Sequence, residues 1–190
     1  QKTNNNILTS LKNKNYKLEY LAKANAEKLP FKDNTFDMIY SHGVLHHAKN
    51  TMICISEAYR VLKPGGKFKI MVYSNFSATG LMLWLLHGLG KGKPFLSQEK
   101  IIFKYLESPG TKCYSKKELV KILEGFGLEK LIIKKFASSG DLLLMPRSKK
   151  YKNSLLYSFI QFLYPRLIVK RLQSILGLSI TITAYKPEII

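Results

Sequence analysis

Apolar positions along the chain follow two periods in alternation. Ile7, Leu8 and Leu11 recur at helical spacing, so residues 5–14 read as a short helix, and residues 18–24 as a strand. Leu29-Pro30-Phe31-Lys32-Asp33-Asn34 is a turn by composition. Residues 36–40 form a short apolar strand, expected to be buried on both faces if it lies in a parallel sheet. Met52, Ile55, Tyr59 and Leu62 line one face of a helix that Pro64, Gly65 and Gly66 should end, and residues 67–73 return to strand. Strand, helix and strand in this order predict an α/β fold with a parallel sheet.

Beyond residue 74 the rhythm breaks. Residues 75–112 hold an apolar segment (81–89), glycines and Lys91-Gly92-Lys93-Pro94, and read as a mobile cap or lid. Ser115 and Glu118 form a capping box, in which a hydroxyl and a carboxylate each satisfy an orphan amide at a helix start. That helix runs through Leu119, Ile122 and Leu123 and stops near Gly125 and Gly127; residues 128–136 are the next strand. Residues 137–177 form a second, aromatic and basic insert, and residues 179–185 alternate as a last strand. The expected organisation is one domain: residues 1–74 and 113–136 as core, 75–112 and 137–177 as inserts, and 178–190 as the closing strand.

Composition adds limits. In 190 residues, 46% are hydrophobic, enough for a real core and against disorder. Cys54 and Cys113 are too few for a disulfide framework and match no zinc spacing, so a reducing cytoplasm is expected. The first residues carry no apolar run of a signal peptide and no starting Met, which suggests a fragment. The longest apolar run, residues 81–86, falls far short of a membrane span. The formal charge is +19, from 31 basic and 12 acidic side chains. Such charge attracts nucleic acid and anionic membranes. Here it is diffuse and mostly lysine, alongside many Asn, Ile and Tyr, which fits compositional bias better than a clustered basic footprint.

Three sequence blocks carry a resemblance. They are Asn25-Ala26-Glu27-Lys28-Leu29-Pro30-Phe31, then Phe36-Asp37-Met38-Ile39-Tyr40-Ser41-His42-Gly43 leading to His46 and His47, then Glu57-Ala58-Tyr59-Arg60-Val61-Leu62-Lys63-Pro64-Gly65-Gly66. In this order and spacing they resemble the type 11 group of class I S-adenosylmethionine (SAM)-dependent methyltransferases, which includes the ubiquinone and menaquinone biosynthesis enzymes. The resemblance implies a Rossmann-like, mostly parallel sheet with an antiparallel last strand, SAM as cofactor, and a small-molecule acceptor. It implies that Asn25 accepts from the adenine amine while the Ala26 N–H serves a ring nitrogen. An Asn where the family often has Asp keeps the carbonyl acceptor and loses the charge. Asn25 could instead simply start a turn. Ser41, His42 and Gly43 would lie under the cofactor at the carboxyl end of their strand, where open α/β sheets bind ligands, with Gly43 allowing close approach.

His46 and His47 are the candidate catalytic residues, as a base that takes the acceptor's proton; the competing reading is that they pack and hydrogen-bond to hold the loop. His42 and His46 have helical ligand spacing, but with no third ligand evident a metal site is not expected. Glu57, Arg60 and the Lys63-Pro64-Gly65-Gly66 turn read as scaffold.

The family also has a first strand with a glycine-rich loop and a second strand ending in an acidic residue. Neither occurs here, so those amino-terminal strands are expected to be missing, and the 190 residues alone to bind SAM poorly and be inactive. The apolar run at 81–86 suggests an apolar acceptor or peripheral membrane contact. A nucleic-acid methyltransferase is the first alternative. It is lowered because no Asp/Asn-Pro-Pro-Tyr motif or Pro-Cys nucleophile follows the 36–40 strand. The other alternative is a non-catalytic binding module with a methyltransferase-like fold. Oligomeric state is not legible.

Overall fold

The computed structural model describes residues 23–106, 110–144, 162 and 164–188. The helix expected over 5–14 and nearly all of the strand expected over 18–24 lie outside these residues, as does the middle of the second insert. Lys23 and Ala24 belong to no strand.

One five-stranded sheet organises the described residues. Strand β1 (Phe36–His42) pairs in parallel with β2 (Leu62–Ser74). On the other side of β2 lies β5 (Ser179–Tyr185), antiparallel, followed by β4 (Glu129–Phe136), antiparallel to β5. The order is therefore β1-β2-β5-β4, and β5 alone runs against its neighbours. The two-residue β3 (Cys113–Tyr114) pairs in parallel with Tyr73 and Ser74, on the edge of β2 that β1 leaves after its last pair, His42 with Met71.

Among the described residues, six helices surround the sheet: α1 (Thr51–Val61), α2 (Ala78–His87), α3 (Gln98–Tyr105), α4 (Lys116–Gly125), α5 (Arg166–Arg171) and α6 (Gln173–Leu176), with 3-10 turns at Leu45–His47 and Leu89–Lys91. Phe68, Ile70 and Val72 of β2 lie opposite Ala184, Ile182 and Ile180 of β5, so period-2 alternation puts all six on one face. That face meets Cys54, Ile55 and Ala58 of α1 and Leu119 and Leu123 of α4, and together they make the core. The α4 pattern is legible in detail. Ser115 accepts from the Glu118 N–H and the Glu118 carboxylate accepts from the Ser115 N–H, closing the capping box.

Three expectations change. First, β1 is not buried on both faces: Met38 and Tyr40 are 47% and 60% exposed, because β1 ends the described strand order. Second, α1 ends at Val61, and Leu62 is already extended and paired with Phe36. The Pro64–Gly66 stretch does not stop a helix. It is bulged out of β2 between the Phe36–Leu62 and Met38–Lys67 pairs. Gly65 takes a left-handed φ of 72° there and donates to the Lys186 carbonyl, binding the bulge to the end of β5. Third, the buried face of α1 is centred on Cys54, Ile55, Ala58 and Val61, with Met52 and Tyr59 at its margins. Small Cys54 and Ala58 let the helix approach the sheet closely.

Lys186 closes this end of the sheet. Its ammonium donates to the carbonyls of Tyr59 and Leu62 and to Asn34 Oδ1, and sits 4.4 Å from the centre of the Tyr59 ring. It thereby satisfies carbonyls that the end of α1 leaves without helical partners.

Candidate functional site

Two loops converge on the start of α1. The first is the turn at Asn25, where Lys28 N–H donates to the Asn25 carbonyl at 3.0 Å and Glu27 N–H to Asn25 Oδ1 at 3.0 Å. The Asn25 side chain thus closes a local turn, and its amide oxygen keeps a second lone pair. The Ala26 N–H makes no hydrogen bond to another described residue. Glu27 then reaches across to accept from Asn50 N–H at 2.6 Å. Asn50 is the cap of α1, its Oδ1 accepting from Met52 and Ile53.

The second loop leaves the carboxyl end of β1. Ser41 is half-buried, and His42 is exposed with its ring stacked beside Tyr40. Gly43 has φ of 72°, and its N–H donates to the Met71 carbonyl at 3.1 Å, continuing the β1–β2 ladder by one bond. Thr51, the first residue of α1, donates its hydroxyl proton to the Leu45 carbonyl. The structure therefore brings Asn25 and Ala26 to the same helix start as Ser41 to Gly43.

The two candidate histidines part company. His46 is fully buried, its ring 4.2 Å from those of both His47 and Tyr73, and neither ring nitrogen has a hydrogen-bond partner among the described residues. Burial, reinforced by His47 and Lys112, pushes its pKa down to about 3, so the imidazole is neutral at neutral pH. His47 is exposed, with Nδ1 3.2 Å from the Thr111 hydroxyl. Lys112 closes the loop by donating its N–H to the His46 carbonyl and its ammonium to the Ala48 carbonyl. Among the described residues no group of three or more His, Cys, Asp or Glu is placed to hold a metal ion.

His46 gives the site a pH signature. Unfolded, its imidazole titrates near 6.5; folded, near 3. Between those values the unfolded chain binds more protons, so stability is full above the unfolded pKa and falls as pH drops toward 3. His46→Phe keeps an aromatic ring in the stack and should lose less Tm than the wild type between pH 7 and pH 4. Equal losses would contradict this account.

The first loop is held by a charged network. Arg60 donates to both Glu57 carboxylate oxygens at 2.8 Å, to Asp33 at 2.7 Å, and to the carbonyls of Phe31 and Leu29. Glu57 also accepts from Leu29 N–H, and hydrogen bonds from Arg60 and Leu29 hold its carboxyl down at about 2. A bidentate pair that also satisfies two carbonyls fixes the 29–33 turn, and with it the direction from which the chain leaves Asn25. Because Arg60 is partly exposed, Arg60→Ala should lower the urea unfolding midpoint, but by less than breaking a buried pair would.

A residue that sequence reasoning missed sits against the first turn of α2. Asp141 is fully buried. Its carboxylate accepts from the N–H and hydroxyl of Thr79 on α2, the N–H and hydroxyl of Ser138, and the N–H of Leu178. A signal was available: Asp141 is the only acidic residue between Glu129 and Glu188, in a stretch whose other charged residues are all basic.

The type 11 methyltransferase domain family matches residues 3–70. The chain is 34% identical over 88 residues to the ubiquinone/menaquinone biosynthesis C-methyltransferase of Bartonella tribocorum, covering 44% of this chain and 34% of that protein. It is 28% identical over 123 residues to the enzyme of the same name from Brucella canis, covering 63% and 45%. The matched part therefore spans between a third and a half of these curated relatives. In fold, it is similar to the phosphoethanolamine N-methyltransferase 2 of Haemonchus contortus solved with SAM, at TM-score 0.53 and 23% identity, covering 86% of this chain and 36% of that one. Over residues 3–70 the chain is therefore similar to the type 11 methyltransferase domain, and its sheet, with β5 alone reversed, has the fold of the class I SAM-dependent methyltransferases.

Proposed function

We propose that the protein carrying this chain transfers the methyl group of SAM to an apolar small-molecule acceptor. The observation that carries the reading is the convergence of the Asn25–Ala26 turn and the Ser41–Gly43 loop on the start of α1, at the carboxyl end of β1. The available donors and acceptors fit the cofactor. The second lone pair on Asn25 Oδ1 suits the exocyclic amine of adenine, and the Ala26 N–H suits a ring nitrogen. Gly43 presents backbone without a side chain, and the Ser41 hydroxyl has no partner among the described residues. Bound SAM supplies a methyl group already activated for in-line attack. The residues' own share is to hold the adenine edge, set the approach under the cofactor and exclude water with the cap.

Of the two histidines, we assign the proton-accepting role to His47, which its exposure beside Thr111 supports; His46, being buried, is assigned to support of the loop. Many methyl transfers need alignment more than a base, and the role is secondary to positioning. The resemblance assigns these residues no partner for the ribose hydroxyls or the methionine carboxylate of SAM. Isothermal titration of the 190-residue chain should therefore show weak binding; a micromolar Kd would contradict that.

The test of the activity uses the full natural protein with methyl-labelled SAM and pools of quinone precursors, lipids and RNA, read by mass spectrometry. Label is expected in an apolar small molecule. Label confined to RNA, or none in any pool, would overturn the reading.

A further inference from the structure

The α2–α3 hairpin has a surface that the proposed chemistry leaves unexplained. From Ala78 to Leu86, α2 has no charged side chain, and only its first turn is fully buried. Leu81, Leu85 and Leu89 recur every four residues and are all exposed, joined by Leu86 at 66% and by Phe95, which is entirely exposed. Monomeric proteins rarely leave so contiguous an apolar stripe in water. Trp84 is half-buried beside it and donates to the Pro94 carbonyl, the amphipathic placement that suits a lipid–water boundary.

Basic residues flank the stripe. Lys91, Lys93, Lys100 and Lys104 follow it against a single acid, Glu99. The ammonium groups of Lys91 and Lys104 lie 5.5 and 5.4 Å from the centre of the Tyr105 ring, which holds charge close to the apolar edge. A second element repeats the pattern: α5 carries Arg166, Lys170 and Arg171 and exposes Leu167 and Ile168. Both hang from one loop, since Thr79 of α2 donates to Asp141, and Arg166 Nε donates to the Leu142 carbonyl. Protein interfaces tend to be depleted in lysine at their centres, whereas leucine beside lysine matches acyl chains beneath anionic headgroups.

We infer that the α2–α3 hairpin docks the protein on an anionic membrane surface, with its leucine stripe in the headgroup–acyl boundary and its lysines on lipid phosphates. No helix among the described residues is long and apolar enough to cross a membrane, so the contact is interfacial. It lies at the end of the sheet where β2 and β4 finish, which would bring an apolar acceptor to the cap directly from the lipid.

Vesicle flotation of the full chain tests this, with phosphatidylcholine alone and with phosphatidylcholine mixed with phosphatidylglycerol. Binding should favour the anionic vesicles by about tenfold or more and weaken in high salt. L85E/L86E, at two exposed positions, should lower it by at least about tenfold, with far-UV circular dichroism checking the fold. K91Q/K93Q keeps the leucines and should also lower it by about tenfold. The control K117Q/K121Q makes the same net charge change as the leucine pair, on the exposed side of α4, and should leave binding nearly intact. Three results would overturn the inference: no preference between vesicles, equal loss in the α4 control, or sedimentation showing that the stripe joins two copies of the chain without binding vesicles.

Discussion

Asp141→Ala should destabilise the protein by about 3–5 kcal/mol, among the largest effects of any polar substitution here. The reason is what the carboxylate leaves behind. Thr79 N–H and Leu178 N–H are buried donors, and each orphaned donor costs about 1–3 kcal/mol. The Thr79 and Ser138 hydroxyls lose the same acceptor and can rotate only partly to compensate. Asp141→Asn should be milder, since one carbonyl oxygen remains while the new amide faces donors. Urea unfolding measures both. The loss should be accompanied by loosening of α2, because Asp141 joins its first turn to the strand ends at Ser138 and Leu178; faster amide exchange at Thr79 and Gly80 would report it. An Asp141→Ala protein within about 1 kcal/mol of wild type would mean that water replaces the carboxylate.

In the full natural protein, the proposed function predicts that Gly43→Val reduces kcat/KM for SAM by about a hundredfold, the scale of a misplacement near 1 Å at a reacting centre. Gly43 sits at φ 72°, which a β-branched residue avoids, so the backbone would rotate and pull its N–H from the Met71 carbonyl. Space is not the obstacle. A methyl group on Gly43 would meet only Met71 Cε at 3.4 Å, ordinary contact, so Gly43→Ala should fall between wild type and Val. Gly127, at φ 80° in the turn after α4, is the control. Gly127→Ala should cost stability and leave kcat/KM for SAM near wild type, separating backbone strain from loss of the site.

What the sequence made legible was local. The capping box at Ser115 and Glu118 lies within four residues, and the strand at 179–185 alternates cleanly, so both could be read directly. The helix stop could not. Pro64, Gly65 and Gly66 carry the composition of a terminator, yet Leu62 is drawn into strand by pairing with Phe36, twenty-six residues earlier. Asp141 stood out as a lone acid, but its role was not legible for the same reason: its donors Thr79 and Leu178 lie 62 and 37 residues away. The adjacent histidines read as a pair, but a 3-10 turn sends His46 into the core and His47 outward, and two neighbours acquire different chemistry. The proposed site rests on family resemblance. The bonds from Glu27 to Asn50 and from Thr51 to Leu45, which gather its two loops at one helix start, were not legible.

In the proposed function the Asn25–Ala26 turn and the Ser41–Gly43 loop form one cofactor wall. Titration of the isotope-labelled chain with S-adenosylhomocysteine, followed by amide NMR, tests it directly and tolerates weak binding. Concentration-dependent shifts are expected at Asn25, Ala26, Ser41, His42 and Gly43, lost together in Gly43→Val. Shifts confined to the cleft of about 730 Å³ at the opposite end of the sheet, around Glu129 to Ile132 and Tyr185, would contradict it.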